Sequence, residues 1–122
     1  MTAEEMRIRT KQFALRIMKV AEALPNTIRG RTIANQLIRS ETSVGANYRA
    51  VCRARSGKGF INKLGVVLEE ADESAFWLEL VSKCSLLAPK RVAPLLQETN
   101  ELVKIISASR RTALRKYRGT RR

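Results

Sequence analysis

Three groups of side chains in the 122-residue sequence have the types and spacing to do chemistry. The first is acidic: Glu69, Glu70, Asp72, Glu73 and Glu79 lie close together with no cation among them. Clustered carboxylates can hold a divalent metal, but di-metal sites in helical proteins draw matching carboxylates and histidines from several helices. This chain has no histidine and no matching carboxylate pair elsewhere, so a solvated or ion-paired face is the expected state of the run. The second group is Gly57-Lys58-Gly59. The GxxxxGK[ST] spacing is missing and no strand precedes it, so it does not read as a phosphate loop. The third group is the arginines, whose planar guanidinium groups suit phosphate recognition.

The missing histidine also removes the usual general base, the Ser-His and Cys-His nucleophile systems, and most zinc sites. Cys52 and Cys84 are too far apart for a CxxC motif and are expected to be buried free thiols within helices. No catalytic residue, metal or cofactor is indicated, and the chain reads as a non-enzyme.

Charge points elsewhere. The formal net charge is +13, with a pI near 10.9. Seven basic residues and no acidic one fall in the last thirteen residues, RRTALRKYRGTRR. Eight more lie between Pro25 and Leu68 against the single Glu41. Such asymmetry suggests a polyanionic partner, most naturally nucleic acid. Aromatic content of 5% argues against stacking platforms for single strands.

The elements that must position these charges are helical. Phe60, Leu64, Val67, Ala71, Ser74, Leu78 and Val81 step by four and three, an a/d stripe on one helix. Ile33, Leu37, Ser40, Val44, Asn47 and Val51 share one side of the preceding helix, with Arg39, Arg49 and Arg53 roughly opposite. Met6, Phe13, Ile17, Val20 and Leu24 recur at helical spacing, leaving Arg9, Arg16 and Lys19 for water; Val92, Leu95, Leu96, Thr99, Leu102, Val103 and Ile106 do the same near the C-terminus. The helices should span about Ala3–Leu24, Thr32–Arg55 with Thr32 as N-cap, Ser56–Leu87 with Ser56 as N-cap, and Pro89 to about Ser109. Short loops make this an all-α, antiparallel up-down-up-down four-helix bundle over residues 1–109, followed by a basic C-terminal tail over 110–122. The turn between the second and third helices should bring Arg39 near Glu73 and Asn47 near Gly65.

Ala34, Ile38, Gly45 and Cys52 form a second small, apolar stripe on the second helix, and this stripe suggests an interface with another copy of the chain. No apolar run approaches the roughly 20 residues of a membrane span, and the N-terminus lacks the apolar region of a secretory signal. A cytoplasmic location with no membrane partner is expected.

The run RSETSVGANYRAVCRARSGKGFINKLGVVLEEADESAFWLELV resembles the four-helix-bundle family named for proteins encoded in intervening sequences of bacterial 23S ribosomal RNA. It is also similar to the accessory variability proteins of diversity-generating retroelements. QLIRS, SVGANYR, RARS, F-I-x-K-L and E-A-D-E-S…W-L-E-L carry the resemblance. It implies a four-helix protomer in a ring-shaped homopentamer with a basic surface, no known enzymatic activity, nucleic-acid binding and, in the accessory members, a place beside a reverse transcriptase. Glu41 departs from the family pattern, which commonly has a small residue there. Gly57 and Gly59 weaken the turn's helix-forming residues.

The leading expectation is a homo-oligomer that binds RNA or DNA through Arg39, Arg49, Arg53, Arg110, Arg111, Arg115, Lys116 and Arg118. The alternative is a protein-interaction scaffold whose ring docks a partner enzyme while charge only assists. Association of the basic tail with anionic membranes is a weaker third reading, because Leu114 and Tyr117 make a thin apolar face.

Overall fold

The computed structural model describes residues 1–120, with side chains through residue 117. Four helices account for most of it: α1 (Ala3–Ala23), α2 (Ile28–Cys52), α3 (Gly57–Lys83) and α4 (Pro89–Thr120), with no strand among the described residues. The all-α, four-helix expectation holds.

The N-termini of α1, α2 and α3 are capped alike. The hydroxyls of Thr2, Thr27 and Ser56 accept the N–H groups of Glu5, Gly30 and Gly59 at 3.1, 3.0 and 3.0 Å, each satisfying one otherwise orphaned donor. Ser56 is the cap that the sequence predicts for α3. The second helix, however, starts at Ile28 under Thr27, four residues before the anticipated start. Gly30 explains the difference. A Cβ at this position would stand 2.0 Å from the Pro25 carbonyl oxygen, so the glycine that resembles a helix breaker is what lets the chain turn sharply into α2.

Helix α3 stops at Lys83, short of Leu87. Leu86 N–H reaches Val81 O at 3.0 Å and Ser85 N–H reaches Ser82 O at 3.1 Å, the paired bonds of a Schellman ending. Ser85 holds the left-handed position with φ 55°, where glycine is the usual residue.

Helix α4 continues well past Ser109, to Thr120. Ala113, Leu114 and Tyr117 are half-buried. Tyr117 lies against Gly57, 3.3 Å from where a Cβ would stand. Gly57, Phe60, Ala113 and Tyr117 line one groove where this extension meets the start of α3. A few contacts at wide spacing hold the extra turns, which is why no strong apolar period marks them.

The core is drawn from all four helices. Met6, Phe13 and Ile17, then Ile33, Leu37 and Val44, then Leu64, Val67, Leu78 and Val81, then Val92, Leu102 and Ile106 are buried together. Phe60 is only half-buried, and Ile61 goes inside instead. Helix α2 packs against both α1 and α3, and α3 also packs against α4. Ser74 on α3 donates to Ser40 on α2 at 3.0 Å, so the chain doubles back at the turn between these two helices.

Arg9 ties α1 to α4. Its Nε donates to Glu98 Oε2 at 2.8 Å and its Nη2 to Glu98 Oε1 at 2.6 Å, with Glu101 at 3.1 Å. A two-pronged guanidinium–carboxylate pair of this kind is among the stronger polar contacts. Arg9 therefore does not simply face water; the carboxylates hold its guanidinium more firmly protonated than usual.

Candidate nucleic-acid interface

The expected arginines have different surroundings. Arg39 lies between acidic residues of α3: Nη1 donates to Glu70 at 3.2 Å, and Nη2 is paired with Glu73. Its Nε also donates to Gln36 Oε1 at 2.9 Å. The neighbouring guanidinium holds the Glu73 carboxyl below its usual range, and Glu73 in turn raises Arg39. The anticipated approach of Arg39 to Glu73 is present, and it satisfies much of this side chain's charge internally.

Arg110 on α4 is half-buried. Its Nε donates to the Ile61 carbonyl at 3.3 Å and its guanidinium lies over Gly65. The Asn47 amide donates to Ser43 O and Oγ of its own helix, both at 2.9 Å. It is half-buried, outside the core.

Arg49, Arg53, Arg111 and Arg115 are exposed, and no carboxylate pairs with them among the described residues. Arg53 caps the C-terminus of α2, where a cation also suits the helix dipole. Arg111 and Arg115 lie one turn apart on α4. Lys116 is exposed on the same helix, beside Tyr117 in the groove near Gly57. The side chain of Arg118 lies outside the described residues.

Of the second stripe on α2, Ala34 is half-buried against the protomer's own core and Gly45 lies 3.8 Å, measured from an ideal Cβ, from the Thr10 carbonyl of α1. Helix α1 therefore covers part of it. Ile38 is half-buried and Cys52 is exposed. The thiols depart from expectation: Cys52 ends α2 in solvent, and Cys84 caps α3 half-buried, both free. Each sits at a helix end, where burial falls away.

Sequence reasoning missed a groove between α1 and α2. Ile8, Leu15 and Met18, exposed by 46, 54 and 36%, form its apolar wall, with Gly45 and Ala46 from α2 opposite. Three cations, Arg7, Lys11 and Arg49, also line it, and among the described residues no acid does. The spacing of Ile8, Leu15 and Met18, seven and three residues, is legible as a second helical stripe but is overshadowed by the core stripe of the same helix.

Residues 5–108 match the family model of the 23S rRNA-intervening sequence protein. The chain belongs to this family. A solved structure of a protein of unknown function from the S23 ribosomal protein family of Bacteroides thetaiotaomicron VPI-5482 is 31% identical, with a TM-score of 0.79, over 84% of this chain and 95% of that one. No curated protein matches the sequence. The family span includes Arg39, Arg49 and Arg53 and ends before Arg110, so the basic end of α4 lies outside what the intervening-sequence family model describes.

Among the buried polar residues, Glu41 has the most unusual surroundings. It is 1% exposed, and its Oε1 has no hydrogen-bond partner among the described residues. Burial pushes its carboxyl up to about 7, opposed by a hydrogen bond from Ser74 and assisted by the Glu98 charge.

Proposed function

We propose that this chain is a non-enzymatic, cytoplasmic member of its family. In this reading, up-and-down four-helix protomers assemble into a ring, a homopentamer by the family resemblance, that binds RNA or DNA through pooled positive charge. The observation that carries the reading is the set of exposed arginines without carboxylate partners, Arg49, Arg53, Arg111 and Arg115, on a chain of net charge +13. Lys/Arg contacts to phosphate release counterions, giving affinity that falls steeply with salt. Arg39 and Arg110 serve such a surface less directly, since each already holds contacts within the protomer.

The same chemistry suits two settings: an accessory to a reverse transcriptase, or a protein acting on the intervening sequence of ribosomal RNA. A mobility shift with structured RNA and with duplex DNA tests the reading. Binding at low salt that disappears at high salt supports it; indifference to both polyanions at low salt refutes it.

The apolar groove between α1 and α2 favours a second reading, a ring that docks a partner enzyme without itself touching nucleic acid. Capture of a reverse transcriptase that survives nuclease treatment would support that alternative.

A further inference from the structure

Two exposed apolar features lie on different helices, and their charged surroundings are opposite. On α3, Phe76 is 50% exposed. Its ring meets Trp77 edge-on at 5.0 Å and 74°, and Trp77 is half-buried against the core. The Phe76 ring is thus braced outward. Glu69, Asp72 and Glu79, at i−7, i−4 and i+3, share its exposed face. All three are exposed and make no ion pair among the described residues.

The groove between α1 and α2 is the counterpart, with an apolar wall of Ile8, Leu15 and Met18 and the cations Arg7, Lys11 and Arg49. Arg7 is already paired with Glu4, which leaves Lys11 and Arg49 as the groove's charges without an ion pair among the described residues.

We propose that the occupant of this groove is a second copy of the chain, seated through the acidic, Phe76-centred face of its α3. This deepens the ring reading above and rests on it. The complementarity is twofold: an apolar projection meets an apolar recess, and carboxylates around the one meet cations around the other. An exposed apolar patch of this kind marks a contact surface, and charge complementarity sets its partner and register. A phosphodiester backbone would match the cations but not Ile8, Leu15 and Met18.

The two faces are different surfaces of one protomer, so the contact is head-to-tail. A pair of chains leaves one groove and one Phe76 face unsatisfied, so addition continues, and in the ring reading it stops where the rotation between neighbours closes the circle. Arg49 then belongs to assembly, leaving Arg53, Arg111 and Arg115 for the polyanion. The acidic face of α3, which would repel phosphate, is covered in the process.

The test is a mixing experiment on the full chain, read by light scattering at micromolar concentration with helicity checked by circular dichroism. Leu15→Glu blocks the groove and Phe76→Lys blocks the projection, both at exposed positions. Each variant alone is expected at the 13.8 kDa protomer mass, and an equimolar mixture is expected to give a one-to-one dimer and nothing larger. If the wild type is oligomeric while Phe76→Lys keeps its mass, or if the mixture stays monomeric, this contact is overturned and the ring reading stands. A monomeric wild type overturns both. Should either variant lose helicity, the surface-charge variants Lys11→Glu/Arg49→Glu and Asp72→Lys/Glu79→Lys replace them with the same expected outcomes.

Discussion

The hydroxyls of Ser40 and Ser74 meet at 3.0 Å across the α2–α3 contact, each also bonded to a carbonyl one turn earlier in its own helix. They belong to a buried polar set, Thr10, Ser40, Glu41, Ser74 and Thr99, to which every helix contributes. Ser74→Ala should therefore destabilise the protein by about 1–3 kcal/mol, the penalty of leaving buried polar groups unmatched. Chemical denaturation of the two proteins measures it.

Glu41 should make stability fall as pH rises. Below its ordinary value of 4.5 the carboxyl is neutral whether the chain is folded or not, and nothing is lost. Between 4.5 and about 7 the unfolded chain ionises while the buried group stays neutral, so unfolding gains ground with each pH unit. Above about 7 this contribution is fully lost, on the order of 3 kcal/mol. Urea midpoints at pH 5 and pH 8 should differ in that direction, and Glu41→Gln should flatten the difference. An unchanged pH dependence in Glu41→Gln would contradict this account.

Ser85 ends α3 in a left-handed conformation, which a side chain disfavours by about 1 kcal/mol. Ser85→Gly should raise stability by about 0.5–1 kcal/mol. A thermal melt that rises by a few degrees checks it.

Gly30 works in the opposite sense. A Cβ there collides with the Pro25 carbonyl, and backbone cannot yield as a flexible side chain does. Gly30→Ala should cost about 1–3 kcal/mol, the range for overpacking, although alanine is the better helix former. Denaturant unfolding distinguishes the two effects by sign.

Among the arginines, Arg111→Ala/Arg115→Ala should weaken RNA or DNA binding and lower the salt slope by about one for each phosphate no longer neutralised. Arg39→Ala should change affinity less, since Glu70 and Glu73 already hold that guanidinium, and should alter stability by no more than about 1 kcal/mol. Titrations at several salt concentrations separate the two variants.

The core is legible in the sequence because burial imposes a period: Leu37, Val44, Leu64, Val67, Leu78 and Val81 fall on their stripes and are buried. Helix ends are harder to read, because they depend on tertiary neighbours. Pro25 decides where α2 begins, and Tyr117 against Gly57 helps carry α4 past Ser109. The apolar groove combines α1 and α2 residues separated by some thirty positions, and no linear pattern displays that proximity. Pairing of Arg39 with Glu73 can be read from the short turn, whereas Arg9 with Glu98 cannot, since α1 and α4 lie at opposite ends of the chain.

The length of α4 has a mechanical consequence. Its 32 residues span about 48 Å, so Arg111 and Arg115 ride on a stiff rod whose pitch sets the interval between them. A frayed tail would have to be straightened by its polyanion at an entropic penalty; this one presents its cations already in step before any encounter begins.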